Sequence, residues 1–163
     1  MKKAQPWIGL LVRLGLGGVL LYAGYLKAFT PDKSMMAVRA YELLPIWLAN
    51  AFGIILPWLE IGAGLLLIVG VAVRYAAIFG AVLMVAFIIA IAQAWARGLS
   101  IDCGCFGDGG AVDPSETKYL QSILRDIGFA LLGFYLIRYP VTKFALEKTK
   151  SHEQPTEKLT PGE

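Results

Sequence analysis

Cys103 and Cys105 stand one glycine apart in the stretch Asp102-Cys103-Gly104-Cys105-Phe106-Gly107, and the chain has no other cysteine. Two cysteines at i and i+2 can close on each other if the residue between them lets the backbone pinch, which Gly permits. So small a ring is strained, and strained disulfides are the labile, exchanging ones. The spacing therefore points to a redox-active dithiol that handles electrons or disulfides for a partner; the competing reading is a Gly-rich turn that carries two thiols. A closed metal site needs about four ligands. The sole histidine, His152, lies in the C-terminal tail, so no metal is expected. Asp102 and Asp108 beside the pair should raise the thiol pKa, whereas Arg97 and Arg125, folded over the loop, would lower it. Asp102, Phe106 and Arg97 are thus candidates for tuning the pair.

A second group of residues is conspicuous by its surroundings. Arg13, Glu60, Arg125 and Asp126 all fall inside long apolar segments. One charge at the centre of a bilayer costs about 2.5–3.5 kcal/mol on insertion scales, so such groups are normally paired and functional. Arg125 lies about 9 Å along a helix from Tyr119, in the half of the membrane nearer the cysteines. Arg125 and Asp126, as sequence neighbours, point about 100° apart and are expected to find partners on different helices. Glu60, Arg125 and Asp126, with Arg97 and Lys27 at the rim, are expected to line a pocket under the cysteines; otherwise they are ties between helices. Lys27 is expected to snorkel to the interface. Tyr41, Pro45 and Pro57 are read as shaping the backbone.

The elements that must position these residues are membrane spans. The chain has 163 residues, 57% of them hydrophobic, and a mean hydropathy of +0.62, against about 45–50% apolar in soluble domains. Residues 75–96 contain no charge, enough for one crossing. Four spans are expected, at about 7–29, 46–70, 74–98 and 118–138, in an all-α membrane bundle covering residues 1–143. A Cys loop fills 99–113 and a disordered tail 144–163. Met35, Met36, Val38, Ala40, Tyr41, Leu43 and Leu44 are interspersed with Lys33, Arg39 and Glu42, which suits a short interfacial helix closed by Pro45. Pro57 makes a kink in the second span plausible. In the third, Ala76 and Gly80, and Ala86, Ala90 and Ala94, recur every fourth residue, the spacing of close helix contacts. Asp113, Pro114 and Glu116 read as the capping box that opens the fourth. Trp7, Trp47, Trp95, Tyr119 and Tyr139 fall at span ends, as interfacial aromatics do.

Lys2 and Lys3 before an apolar run resemble a signal peptide, but Arg13, the lack of an A-x-A site and the length of the run favour a retained span. With four spans, Lys2, Lys3, Arg74, Arg138, Lys143, Lys148, Lys150 and Lys158 share one side, against Lys27, Lys33, Arg39, Arg97 and Lys118. This excess puts both termini in the cytoplasm. The Cys loop then faces the oxidising periplasm of a bacterial inner membrane. The net charge of +3 bears on orientation and not on nucleic-acid binding.

The pattern Arg13…Gly24-x-x-Lys27, Tyr41-x-x-x-Pro45, Pro57-x-x-Glu60-x-Gly62-x-x-Leu65, Arg97-Gly98, Asp102-Cys-Gly-Cys-Phe-Gly107 and Arg125-Asp126 resembles the DoxX-like membrane family, and within it the MauE branch. The resemblance implies a four-helix integral membrane protein. It also implies a role in maturing a disulfide-rich subunit of methylamine dehydrogenase beside a thioredoxin-like periplasmic partner. The functional expectation is thiol–disulfide exchange through Cys103 and Cys105 with such a partner or directly with a client. Quinone is the natural membrane acceptor for the electrons, its head group received by Arg97, Arg125 and Glu60. The alternatives are a non-enzymatic membrane assembly or maturation factor, or an accessory subunit of a respiratory complex.

Overall fold

A computed structural model describes residues 5–106, 109–140, 142 and 145. The chain forms α1 (Gln5–Ala28), α2 (Pro31–Ala40), α3 (Ile46–Val69) and α4 (Val73–Ala96). There follow two short strands, β1 (Ile101–Asp102) and β2 (Gly110–Ala111), a 3₁₀ turn at Pro114–Glu116, and α5 (Tyr119–Arg138). The helices α1, α3, α4 and α5 are long and apolar enough to cross a membrane. At 1.5 Å per residue, 24 residues reach about 36 Å, against a hydrocarbon core of about 30 Å. The protein is a multi-pass, all-α membrane bundle with four candidate spans. The residues assigned to the tail lie almost wholly outside the described ones, as does Asp108.

Two helix pairs make the bundle: α1 packs on α3, and α4 on α5. Leu16, Leu20, Leu67, Ala77 and Leu136 fill the space between the pairs, while Leu11, Phe29, Trp47, Tyr75 and Phe134 are each at least 70% exposed. Such an outer surface is tolerable only against lipid. α1 and α3 approach closely through glycine, where a Cβ on Gly64 would lie 2.8 Å from the Gly17 oxygen and from the Leu21 nitrogen. A Cβ on Gly24 would lie 2.7 Å from the Pro57 oxygen. Small residues also meet on α4/α5, where a Cβ on Gly133 would lie 3.0 Å from the Ala81 Cβ and 3.4 Å from the Ala77 oxygen. Ala76, Gly80 and Ala94 are buried, but Ala86 faces outward.

Three local expectations are corrected. The interfacial helix begins with Pro31 at its first turn and ends at Ala40, because Glu42 takes a left-handed conformation (φ 51°); Pro45 opens α3 and does not close α2. The Asp113 cap belongs to the separate 3₁₀ turn: its Oδ1 accepts from the Ser115 N–H at 3.0 Å and the Ser115 hydroxyl at 2.7 Å. Thr117 is then extended, so α5 starts afresh at Tyr119. Finally, Tyr119 is buried and faces the loop, not lipid.

At the end away from the cysteines, Arg13 is 2% exposed and donates from Nη1 to the Thr142 hydroxyl at 2.9 Å. An embedded cation is thereby tied to the segment that follows α5.

Candidate functional site

Three side chains anchor the loop that carries the cysteines. β1 and β2 pair antiparallel, Ile101 with Ala111 and Asp102 with Gly110, which brings the chain back beside α2. At the start of α5 the Tyr119 hydroxyl donates to the Leu99 carbonyl and accepts from the Ile101 N–H at 2.9 Å. Tyr41, at the end of α2, donates to the Cys103 carbonyl at 2.8 Å. Burial pushes the Tyr41 phenol up, so it stays a donor. Between the sulfurs, Gly104 sits at φ 68°, a left-handed turn suited to Gly, and its N–H donates to Asp102 Oδ1 at 3.0 Å.

Both cysteines are thiols, and they differ. Cys103 is half-buried; Cys105 is 6% exposed. The Arg125 guanidinium donates to the Cys103 sulfur, its Nη2 3.8 Å away, and the Cys105 thiol donates to the Cys103 carbonyl at 3.8 Å; the Cys105 and Ser122 side chains add hydrogen-bonding support to a Cys103 thiolate. The support from Cys105 is the largest influence, and together these contacts outweigh burial, holding the Cys103 thiol down to about 5. Cys105 is pushed well up by its hydrogen bonding with Cys103, by burial and by the negative groups around it. The pair gives up one proton easily and keeps the second, and the thiolate resides on the more accessible sulfur.

Beneath the loop the embedded charges meet. Arg125 does not reach a different helix from Asp126: its Nε and Nη2 both donate to Asp126 Oδ1, at 3.0 and 2.9 Å. Its side chain is long enough to curl back along α5, so the 100° between the two Cβ directions does not separate the head groups. The guanidinium lies 4.7 Å above the Phe106 ring, which sits 6.2 Å from Tyr22. Lys27 does not snorkel: it is 4% exposed and pairs with Glu60 Oε1 at 2.6 Å, 5.5 Å over the Phe87 ring. Arg97 takes no part in this cluster. It donates to the Tyr41 carbonyl at 3.3 Å, to Gln93 Oε1 at 3.2 Å and to Glu42 at 2.7 Å, and among the described residues it is joined to the loop through Tyr41.

Two cavities follow. One of about 300 Å³ is lined by Asp102, Cys103, Phe106, Lys118, Gln121, Ser122 and Arg125. The other, about 20 Å³, lies deeper among Glu60, Cys105, Phe106, Arg125 and Asp126. The space Glu60 and Arg125 share is far below the roughly 300–1,000 Å³ of ligand pockets, whereas the cavity of about 300 Å³ beside Cys103, also lined by Arg125, reaches the low end of that range. Among the described residues no group of three His, Cys, Asp or Glu could hold a metal ion. Sequence reasoning missed Ser122, Gln121 and Lys118. Ser122 and Lys118 stand three and seven residues before Arg125, the spacing of one helix face, and that signal could have found them. Tyr41 and Lys27 were noticed and given lesser roles than their contacts show.

The fold and site define a polytopic membrane protein with a paired-thiol loop over a buried charge cluster. The chain belongs to the family described as "Methylamine utilisation protein MauE", whose sequence model matches residues 5–139. It is 41% identical over 136 residues to the methylamine utilization protein MauE of Methylorubrum extorquens strain AM1, covering 82% of this chain and 70% of that one. To the protein of the same name from Methylophilus methylotrophus it is 37% identical over 140 residues, 84% and 71% of the two chains. No solved structure matches it.

Proposed function

We propose that the protein exchanges disulfides through Cys103 and Cys105 with a thioredoxin-like protein or a disulfide-containing client. Such exchange would support the maturation of exported proteins, in the MauE branch an enzyme of methylamine utilisation. The observation that carries this reading is the asymmetry of the pair: a half-buried, acidic Cys103 on the wall of a cavity, with Cys105 buried directly behind it. An attacking sulfur in front and a resolving sulfur behind is the arrangement that exchange requires. The distribution of Lys and Arg along the chain supports both termini in the cytoplasm of a bacterial cell and the loop in the periplasm.

In the dithiol form the Cys103 thiolate attacks one sulfur of the partner's disulfide. That S–S bond breaks, a bond from Cys103 to the partner forms, and the displaced partner sulfur leaves as a thiolate and takes up a proton. Cys105 then attacks Cys103 Sγ, closing Cys103–Cys105 and releasing the second partner sulfur. Two electrons have moved from this chain to the partner, and the reverse sequence delivers a disulfide to a partner dithiol. Arg125 and Ser122 stabilise the negative sulfur of Cys103, and Tyr41 holds its backbone still.

The test is trapping in intact cells. Cys105→Ser should accumulate a covalent, dithiothreitol-sensitive adduct through Cys103 with a periplasmic protein, and Cys103→Ser should form none. A Cys103→Ser/Cys105→Ser chain that supports client maturation as well as the wild type, with no adduct trapped by Cys105→Ser, would replace exchange by a docking role.

A further inference from the structure

The exchange sequence leaves one proton unaccounted for. The first step uses a thiolate that is already present. The second needs Cys105 to lose its proton, and Cys105 is 6% exposed. Bulk water and hydroxide cannot readily collect that proton. An internal acceptor is needed, and the mechanism so far uses neither carboxylate beneath the loop.

Asp126 and Glu60 are 2% and 1% exposed. Each has one oxygen engaged and one without a partner. Asp126 Oδ1 takes both bonds from Arg125, and Glu60 Oε1 takes the bond from Lys27. Asp126 Oδ2 and Glu60 Oε2 are buried with no hydrogen-bond partner. Buried carboxylate oxygens seldom stay unsatisfied. Both carboxylates and Cys105 line the same cavity of about 20 Å³. A space above about 10–15 Å³ with two or more polar groups on its wall can hold one water.

Resting on the exchange reading, we propose that Asp126 is the proton acceptor for Cys105 when Cys105 resolves the mixed disulfide, directly or through one water held between Asp126 and Glu60. The proton leaves Cys105 Sγ for Asp126 Oδ2, the Cys105–Cys103 bond forms, and the bond from Cys103 to the partner breaks, with the partner sulfur leaving as a thiolate. When the disulfide is next reduced, an incoming thiolate attacks Cys103, Cys105 departs, and Asp126 returns the proton. Arg125, on the other oxygen, fixes the carboxylate and limits which oxygen can act. The charged and titratable groups facing this point are Lys27 from α1, Tyr41 from α2, Glu60 from α3, Arg125 from α5 and Cys103 from the loop. The α4 wall is Met84 and Phe87, which are apolar.

The experiment uses the full chain, reduced, in lipid nanodiscs, with glutathione disulfide as the probe. Acid quenching and mass spectrometry separate the formation of the Cys103–glutathione adduct from its decay into the Cys103–Cys105 disulfide. Asp126→Asn should leave adduct formation within about threefold and slow its decay by about a hundredfold, the usual scale of general-base catalysis. Decay at the wild-type rate in a folded Asp126→Asn chain would overturn the proposal. The wild-type profile decides independently, should that variant fail to fold. With an internal acceptor, the decay rate levels off well below the ordinary thiol pKa of 9.0. A wild-type rate that climbs about tenfold per pH unit through that value would mean deprotonation by solvent and overturn the proposal. A wild type that never forms the adduct would instead remove the exchange reading on which this one stands.

Discussion

The two helix pairs hold their buried charges in different ways. Between α1 and α3, Lys27 crosses to Glu60, both ends are nearly inaccessible, and the helices meet at glycine backbone. On α5, Arg125 and Asp126 are sequence neighbours that pair within one helix, and the guanidinium is 28% exposed. The first arrangement uses the Lys27 ammonium to join two helices. The second leaves the guanidinium edge free to reach the Cys103 sulfur and the Phe106 ring. A charge pair across helices stabilises the bundle, whereas one within a helix adjusts the chemistry of the loop above it.

Breaking the cross-helix pair should have the largest effect on stability. Lys27→Met leaves Glu60 buried without its cation and should cost about 3–5 kcal/mol in reversible SDS unfolding. Lys27→Met/Glu60→Gln should recover most of that. Gly64→Ala comes next: a methyl 2.8 Å from the backbone of α1 has nowhere to go, and about 1–3 kcal/mol of overpacking is expected in the same assay. Arg125→Met should act on chemistry more than on folding. An acid held at about 5 is ionised at neutral pH and loses its thiolate as pH falls through that value. Iodoacetamide labelling of wild-type Cys103 should therefore be half-maximal near pH 5, with Cys105 inert. In Arg125→Met that midpoint should rise by about one unit, or about 1.4 kcal/mol. Glu42→Gln, which breaks the exposed pair with Arg97, should change stability by less than about 0.5 kcal/mol.

The spans were legible because hydropathy and length decide them, and the chemistry-bearing residues because charges and thiols in an apolar chain stand out. The partners were not legible. A helical wheel gives the direction of Cβ, but Lys27 and Arg125 place their charges several rotatable bonds further on. One therefore turns inward to Glu60, and the other back to Asp126. The glycine contact of α1 and α3 was hidden because Gly17, Gly24 and Gly64 share no single short spacing, while the regular alanines of α4 drew attention to a different helix. Tyr119 reads as an interfacial aromatic by position. Its place in the loop depends on β1 returning to the start of α5, a tertiary contact that no local pattern records.

The central claim is that Cys103 and Cys105 form a reversible, exchanging pair. Its most direct test is the redox midpoint of the pair in native membranes, titrated against dithiothreitol and glutathione buffers with thiol trapping. A midpoint of roughly −120 to −270 mV is the expected result, the range of exchanging dithiols. A disulfide that resists reduction below about −300 mV would be a structural staple, and would contradict the account.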